Sequence, residues 1–101
     1  MAEIIWTEPA LADLDAIGDY IALDDDEAAR RLIGKVFERV DLLEEHPLLG
    51  RVPRDLRNTP YRKLIVNPVY AYYRIEGHKV IIVHVSRAER AFDPSRLSRR
   101  R

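Results

Sequence analysis

The residues best suited to chemistry lie in one stretch, residues 61–90, which reads YRKLIVNPVYAYYRIEGHKVIIVHVSRAER. Arg and Lys side chains can hold phosphates, and Tyr and His can exchange protons or stack on bases. Cleavage of RNA by its own 2′-hydroxyl needs a base, an acid and cations around the phosphate, but no metal. From residue types alone, catalysis, binding of an acidic partner and a solvated sheet face without a specific role all stay open.

Other site chemistries find no support in the sequence. There is no cysteine, which excludes disulfides, a thiolate nucleophile and zinc–thiolate sites. His46, His78 and His84 are not at metal-ligand spacing, and no glycine-rich phosphate loop or nucleophile-elbow serine is present. We therefore expect no metal and no cofactor. The acidic run at 24–27 lacks the spacing of a calcium loop and is interpreted as the start of a helix.

The formal net charge of zero hides a strong asymmetry between the two halves of the chain. Residues 1–50 carry 4 basic and 13 acidic side chains, a net charge of −9, and residues 51–101 carry 13 basic and 4 acidic, a net charge of +9. A uniformly basic chain would indicate nonspecific phosphate binding, whereas this one is bipolar. The acidic half is interpreted as solvated helix faces.

Length and composition indicate a single domain over residues 1–101 with 47% hydrophobic residues. No apolar run approaches the roughly 20 residues of a membrane span. The N-terminus lacks the basic and apolar regions of a signal peptide. We expect a soluble cytoplasmic protein.

The first half predicts a short strand followed by two helices. Residues 3–6 (EIIW) form the strand, and Thr7 is expected to cap a helix that fades near Leu23. The second helix is expected to stop at residue 45 or 46, because Pro47 disfavours a helical residue before it. Its apolar stripe is Ala29, Leu32, Ile33, Val36, Val40 and Leu43.

The second half predicts a loop and a meander of three strands. Residues 46–60 form the loop, since they hold three prolines and one glycine. The strands span 61–66, 69–75 and 79–86, and the last is expected to be central because it is apolar on both faces. Residues 93–101 are expected to form a short helix or a basic tail. Four apolar side chains of the loop are expected to pack against the core: Leu48, Leu49, Val52 and Leu56.

The order β-α-α-β-β-β predicts an α+β fold, in which an antiparallel helical hairpin packs on one face of an antiparallel sheet. Alternation along the strands then predicts which side chains share the other, open face. On the last strand it groups Val80 and Ile82 with His84. The open face is expected to carry Tyr70, Tyr72, Arg74 and His84, with Arg62 or Lys63 from one side and Arg87 and Arg90 from the other.

The sequence resembles the RelE/ParE superfamily of bacterial type II toxin–antitoxin toxins over most of its length. The resemblance lies in the opening IIWTEPALADLDAIGDYI, in EHPLLGR after the second helix, and in the 61–90 stretch. It implies the fold derived above. It also implies one of two activities: RelE-like toxins cleave mRNA in the ribosomal A site, and ParE-like toxins inhibit DNA gyrase.

The basic residues favour the ParE-like branch. Arg62 matches the first base that RelE-like toxins place on the second strand. Leu64, Tyr70 and Ala88 stand where the resemblance would place three further cations. Losing several contacts to a developing phosphate charge costs orders of magnitude in rate. The resemblance therefore implies a gyrase inhibitor, with a ribosome-dependent ribonuclease or a nontoxic antitoxin-binding member as alternatives.

The resemblance also implies partners and site residues. A ParD-like antitoxin is expected to wrap the toxin in a hetero-oligomer and to be its only link to operator DNA. Antitoxin contacts are expected at Leu14, Ile17, Ile21, Arg62, Tyr72 and Arg74. Contacts with gyrase are expected at Arg87, Arg90, Phe92 and Arg96. A ribonuclease would instead use Arg62, Arg74, His84 and Arg87.

Overall fold

The computed structural model describes residues 1–88, and the predicted α+β fold is confirmed in them. Two 3-10 turns, at Leu42–Glu44 and Arg54–Leu56, lie between the second helix and the second strand. The helix or tail predicted at 93–101 lies outside the described residues. The main elements are β1 (Glu3–Trp6), α1 (Glu8–Ala22), α2 (Asp26–Asp41), β2 (Tyr61–Val66), β3 (Val69–Glu76) and β4 (Lys79–Arg87).

Both helices begin at side-chain caps, the first at Thr7 as predicted and the second at Asp25, within the acidic run predicted to start it. The Thr7 hydroxyl accepts a hydrogen bond from the Ala10 N–H at 3.3 Å, and the Asp25 carboxylate accepts one from the Ala28 N–H at 3.0 Å. Each bond satisfies a backbone donor that the first helical turn leaves without a partner. The acidic run at 24–27 is thus a helix start, as predicted.

The four strands form one sheet in the order β1-β4-β3-β2. β1 runs parallel to β4, whereas the β4–β3 and β3–β2 pairs are antiparallel. β4 is therefore central, as its two apolar faces predict. β2 lies at an edge of the sheet.

The helical hairpin packs on one face of the sheet, which we call the helix face. Trp6 and Phe37 meet there with ring centroids 4.9 Å apart. Burying each large apolar side chain contributes about 1.5–3 kcal/mol, so this layer is the main source of stability. Its buried members include Leu14, Leu32, Val36, Val40, Leu64, Val66, Ala71, Tyr73, Val80, Ile82 and Val85.

A β-bulge in β4 overturns part of the predicted alternation. Tyr72 pairs with His84, but the next residue, Tyr73, pairs with Ile82, so Val83 is an extra residue in β4. An extra residue reverses the side-chain alternation beyond it. His84 therefore shares the Tyr72 face as predicted, but Val80 and Ile82 do not, because they lie on the helix face.

The face opposite the helices, here the second face, is more covered than expected. The turn at Arg54–Leu56 inserts Leu56 against Tyr72, Ile81 and Val83, and all four side chains are buried. Only Leu56 of the four loop residues predicted to reach the core is buried, since Leu48, Leu49 and Val52 are exposed. Among residues 1–88, no helix has both the length and the apolar character to cross a membrane.

Two exposed glycines provide a matched stability test. An added Cβ would contact nothing within 4 Å at either Gly34 or Gly77, but Gly77 has a φ of +61°. Gly34→Ala should raise the free energy of unfolding by about 0.5–1 kcal/mol, because Gly34 lies inside α2. Gly77→Ala should lower it by about 1 kcal/mol, because L-residues avoid positive φ. Urea denaturation measures both, and a gain at Gly77 or a loss at Gly34 would contradict this account.

Candidate functional site

An Asp–His pair closes the free edge of β4 beyond the end of β1. The Asp13 carboxylate of α1 lies 2.7 Å from His84 Nδ1 and accepts the Val85 N–H at 3.1 Å. β1 ends opposite Ile82, so the carboxylate takes the place of a neighbouring strand there. Only 7% of His84 is exposed, which leaves this imidazole little access to a substrate.

Tyr72 packs against this pair on the second face. Its ring stacks on the His84 imidazole at 5.6 Å between centroids, with 20° between the planes. Burial raises the pKa of Tyr72 to about 12, with a smaller upward contribution from Asp55 and an opposing one from a hydrogen bond with Ser86. The hydroxyl thus stays protonated near neutral pH and is not a general base there.

The accessible part of the second face carries a mixed basic and aromatic edge. The Lys63 ammonium lies 4.2 Å from the centroid of the half-buried Tyr70 ring, a cation–π contact. Arg74 forms an ion pair with Glu76 two residues along β3. The charge of Arg74 is therefore partly compensated within its own strand.

Arg62 lies on the opposite side of the sheet from Tyr72 and Arg74, so of the two residues offered for the open face, Arg62 or Lys63, Arg62 is not the one. Arg62 pairs across the sheet with Tyr73, which is on the helix face, whereas its neighbour Lys63 pairs with Tyr72. The odd–even position within β2 decides the face, and Lys63 is the residue that joins the second face.

Arg62 and Tyr73 together hold the loop that follows α2. The Tyr73 hydroxyl donates to the Pro47 carbonyl at 2.7 Å and accepts the Gly50 N–H at 2.8 Å. The Arg62 guanidinium donates to the Gly50 carbonyl at 2.9 Å and to the Leu48 carbonyl at 3.4 Å. Residues 47–50 of the loop are therefore anchored through their backbone groups, where the sequence predicts anchoring by apolar side chains.

Gly50 has a steric role in this arrangement. A Cβ at position 50 would lie 2.6 Å from the Tyr73 hydroxyl oxygen, closer than non-bonded atoms approach. Arg51 then forms a two-bond bridge with Lys63, at 2.8 Å in each direction. Glycine is thus needed at position 50 for close packing against Tyr73, and Arg51 extends the pairing at the edge of β2.

The predicted helical contact stripe for the antitoxin is only partly accessible. Leu14 is 2% exposed and packs in the core, so its expected contact with a partner is wrong for the folded chain. Ile17 and Ile21 are partly buried against the same core. The exposed apolar side chains of α1 and its C-cap are instead Leu11, Tyr20 and Leu23.

Arg87 ends β4 on the helix face and lies over the ring of Tyr20, with 4.7 Å between the guanidinium carbon and the ring centroid. It pairs across the sheet with Val69, a member of the helix-face core. Arg90, Phe92 and Arg96, which the sequence groups with Arg87, lie outside the described residues.

The four residues expected of a ribonuclease therefore do not converge. Arg62 and Arg87 lie on the helix face, whereas Arg74 and His84 lie on the second face. Arg87 also pairs with the first residue of β3, Val69, and the distance along the strand from there to Arg74 is about 17 Å. A single phosphate cannot be held by cations so distributed.

Sequence reasoning missed Asp13 and Tyr73 as residues that hold the site. Asp13 is one of several acidic residues on α1, and nothing in its spacing separates it from the exposed Asp15 and Asp19. Alternation places Tyr73 correctly on the face opposite Tyr72, but a strand pattern does not show where a hydroxyl ends. Both contacts join segments far apart in the chain.

Comparison with known proteins places this architecture in a family. A family model described as the ParE toxin of the type II toxin–antitoxin system, parDE, matches residues 4–92. A protein named Toxin RelE2 from Caulobacter vibrioides is 41% identical over 91 residues, covering 86% of this chain and 99% of the relative. A putative toxin, Y4kP, from Sinorhizobium fredii is 42% identical over 72 residues, 71% of this chain and 74% of the relative.

A solved structure supports the same assignment. The chain aligns with one described as the chromosomal ParDE TA system from P. aeruginosa, with a TM-score of 0.75 and 31% identity over 88% of this chain and 98% of the other. The fold and the matches define the class, a toxin of a type II toxin–antitoxin system. Within that class, the chain belongs to the ParE toxin family.

Tyr73→Phe tests the hold on the loop. It removes one hydroxyl that serves both the Pro47 carbonyl and the Gly50 N–H, so the free energy of unfolding should fall by about 1–3 kcal/mol. Tyr70→Phe is the control, because Tyr70 is half-buried and its hydroxyl has no such role in the loop. Urea denaturation measures both variants, and equal losses would show that the hydroxyl of Tyr73 does not hold the loop.

Alkaline titration tests the burial of Tyr72. Its pKa is about 12 in the folded state against an ordinary 10.0, so between these values the unfolded chain loses the proton first. The free energy of unfolding should therefore fall from pH 10 to pH 12, by on the order of 2 kcal/mol for this group. Tyr72→Phe should show a shallower fall in chemical denaturation across that range, and an unchanged slope would refute the assignment.

Proposed function

We propose that this toxin inhibits DNA gyrase and does not cleave RNA. The observation that carries the proposal is the separation of the four residues a ribonuclease would use. Arg62 and Arg87 lie on one face of the sheet, and Arg74 and His84 lie on the other. A toxin that acts by binding needs an exposed surface and does not need these groups to converge.

The contacts of the individual groups support the same proposal. Arg62 donates to loop carbonyls, Arg74 is paired with Glu76, and His84 is bound to Asp13 and buried. Catalysis of phosphoryl transfer depends on donors already aimed at the charge that develops. Releasing Arg62 and His84 for that purpose would break the contacts that hold the loop and close the edge of β4.

The second candidate function is RNA cleavage on the ribosome. The observation in its favour is that one relative, 41% identical, carries the name RelE2. Fold does not imply function, and the two activities of this superfamily share one scaffold. The experiment below therefore measures both activities on the same preparation.

The proposed partner is an antitoxin of the ParD type, held with the toxin in a hetero-oligomer. The matching family model is described by the parDE system, and the similar solved structure is a ParDE system. We further propose that operator DNA is bound only through the antitoxin, and that the toxin acts in the cytoplasm, where its target is. The contacts with gyrase predicted at Arg87, Arg90, Phe92 and Arg96 stay predictions.

A paired assay tests the proposed target. Purified toxin is incubated with gyrase, ATP and relaxed plasmid, and in parallel with a translation reaction that contains labelled mRNA. We expect loss of supercoiling or accumulation of linear DNA, with intact message. Message cut on ribosomes with gyrase unaffected would overturn the proposal, and inactivity in both assays would leave only antitoxin binding as a function.

Arg74→Ala sharpens the assay. A gyrase inhibitor should keep its activity within about twofold, because Arg74 pairs with Glu76 and is outside the proposed target contacts. A ribonuclease that relies on Arg74 for charge stabilisation should lose about 100-fold or more. The Tyr70→Phe variant serves as the folding-matched control from the same strand.

A further inference from the structure

The loop after α2 presents a surface that neither the core nor the sheet uses. We define the loop surface as Leu48, Leu49, Arg51 and Val52. We propose that it is a docking site for an acidic segment of the antitoxin that carries bulky apolar side chains. The inference rests on the antitoxin part of the proposed function and assigns that partner a contact on this chain.

The loop surface is held in place before any partner arrives. Tyr73 and Arg62 bind three backbone carbonyls and one N–H of the loop, and the Arg51–Lys63 bridge fixes its far end. The Leu49 N–H also donates to the His46 carbonyl at 3.0 Å. A pre-ordered loop loses little conformational entropy on binding, so more of the contact energy is available as affinity.

The side chains it presents are unusually apolar for exposed positions. Leu48 is 67% exposed, Leu49 45% and Val52 46%. They are three of the eight large hydrophobic side chains exposed in residues 1–88, and they fall within five positions. A rigid loop that shows adjacent apolar side chains to water is typical of an interaction site.

The charge of the surroundings selects the partner's chemistry. Residues 46–63 contain five basic side chains and one acidic, a net charge of +4 with histidine neutral. Arg51, Arg54 and Arg57 are exposed and flank the apolar positions along the chain. Acidic side chains around an apolar anchor complement such a surface in both charge and hydrophobicity.

We assign the loop surface to the antitoxin because a toxin and its antitoxin form a long-lived complex. A rigid apolar surface favours a long-lived complex, because complementarity mainly lowers the dissociation rate. A toxin stored with its antitoxin would keep these leucines out of water until release. The acidic helix α1 cannot supply the partner from within the chain, since it is packed on the helix face.

Paired substitutions test the surface. The probe is the product of the reading frame that adjoins the toxin gene, tagged and immobilised, with full-length toxin variants measured by interferometry. Leu48→Ser and Leu49→Ser should each weaken binding about tenfold or more, mainly through faster dissociation. Leu42→Ser is the matched control, because Leu42 is 46% exposed in the turn at Leu42–Glu44, outside the loop surface, and this variant should bind as wild type does.

Charge variants provide an independent measurement. Arg51→Gln and Arg54→Gln should weaken binding severalfold at low salt and reduce its salt dependence, whereas Arg39→Gln on α2 should do neither. Wild-type affinity in all Leu48, Leu49 and Arg51 variants would overturn the inference. Failure of the probe to bind wild-type toxin would overturn it as well.

Other occupants have distinct signatures in the free toxin. If a second copy covers the surface, wild-type toxin will sediment as a dimer and Leu48→Ser as a monomer. If another part of the same chain covers it, Leu48→Ser will lower the melting temperature of the monomer. Either result overturns the inference, whereas an unchanged mass and melting temperature with weakened probe binding supports it.

The outcome for this surface is separable from the outcome for the proposed target. Toxin that binds the probe through Leu48 and Leu49 but leaves gyrase unaffected supports the inference and refutes gyrase as the target. Toxin that inhibits gyrase and binds the probe equally well in all variants refutes the inference alone.

Discussion

The position of β4 between β1 and β3 is the constraint on which the rest of this structure depends. A strand buried on both faces needs a neighbour at each edge, because unpaired backbone groups are costly away from water. β1 pairs only as far as Ile82, and Thr7 then donates to the Ile82 carbonyl through both its N–H and its hydroxyl. Beyond that point Asp13 takes over as the acceptor.

This solution gives the histidine and the carboxylate that meet here a structural role at the edge of the sheet. The bulge at Val83 turns His84 onto the second face, where it stacks on Tyr72. Asp13 holds the imidazole through its Nδ1 atom. Groups that resemble a catalytic pair in composition are thus engaged in closing the sheet, and their burial limits access to a substrate.

Two polar side chains that pack on the helix face also hold the loop surface in place. Tyr73 fills the helix face with its ring and reaches the loop with its hydroxyl, and Arg62 reaches the same loop from β2. These contacts engage the loop's backbone groups, so its apolar side chains are left exposed. A binding protein gains from that division, since a pre-ordered surface needs little reorganisation on contact.

One scaffold can therefore carry a binding activity where a related one carries catalysis. The sheet and hairpin persist as long as the apolar stripes are kept, whereas catalysis needs several cations on one face at the same height along the strands. In this chain the cations are divided between two faces and are engaged with carbonyls, a carboxylate and an aromatic ring. The proposed mode of action follows from that distribution.

The sequence by itself determined the elements, their order and the central place of β4. Local rules suffice for these features: Thr7 and Asp25 cap the helices, and the apolar periods of α2 and β4 show which faces are buried. Strand boundaries were within one residue of the prediction, because residues typical of turns separate the three strands of the meander. The face of Tyr70, Tyr72 and Arg74 also followed from simple alternation.

Only the tertiary structure decided which side chains meet. The bulge depends on how β4 fits two different neighbours, and no local pattern marks Val83 as the extra residue. The Asp13–His84 contact joins residues 71 positions apart, and the Tyr73–Gly50 contact joins residues 23 apart. Such contacts are set by the packing of whole elements, and it is this packing that left Leu48 and Leu49 facing water.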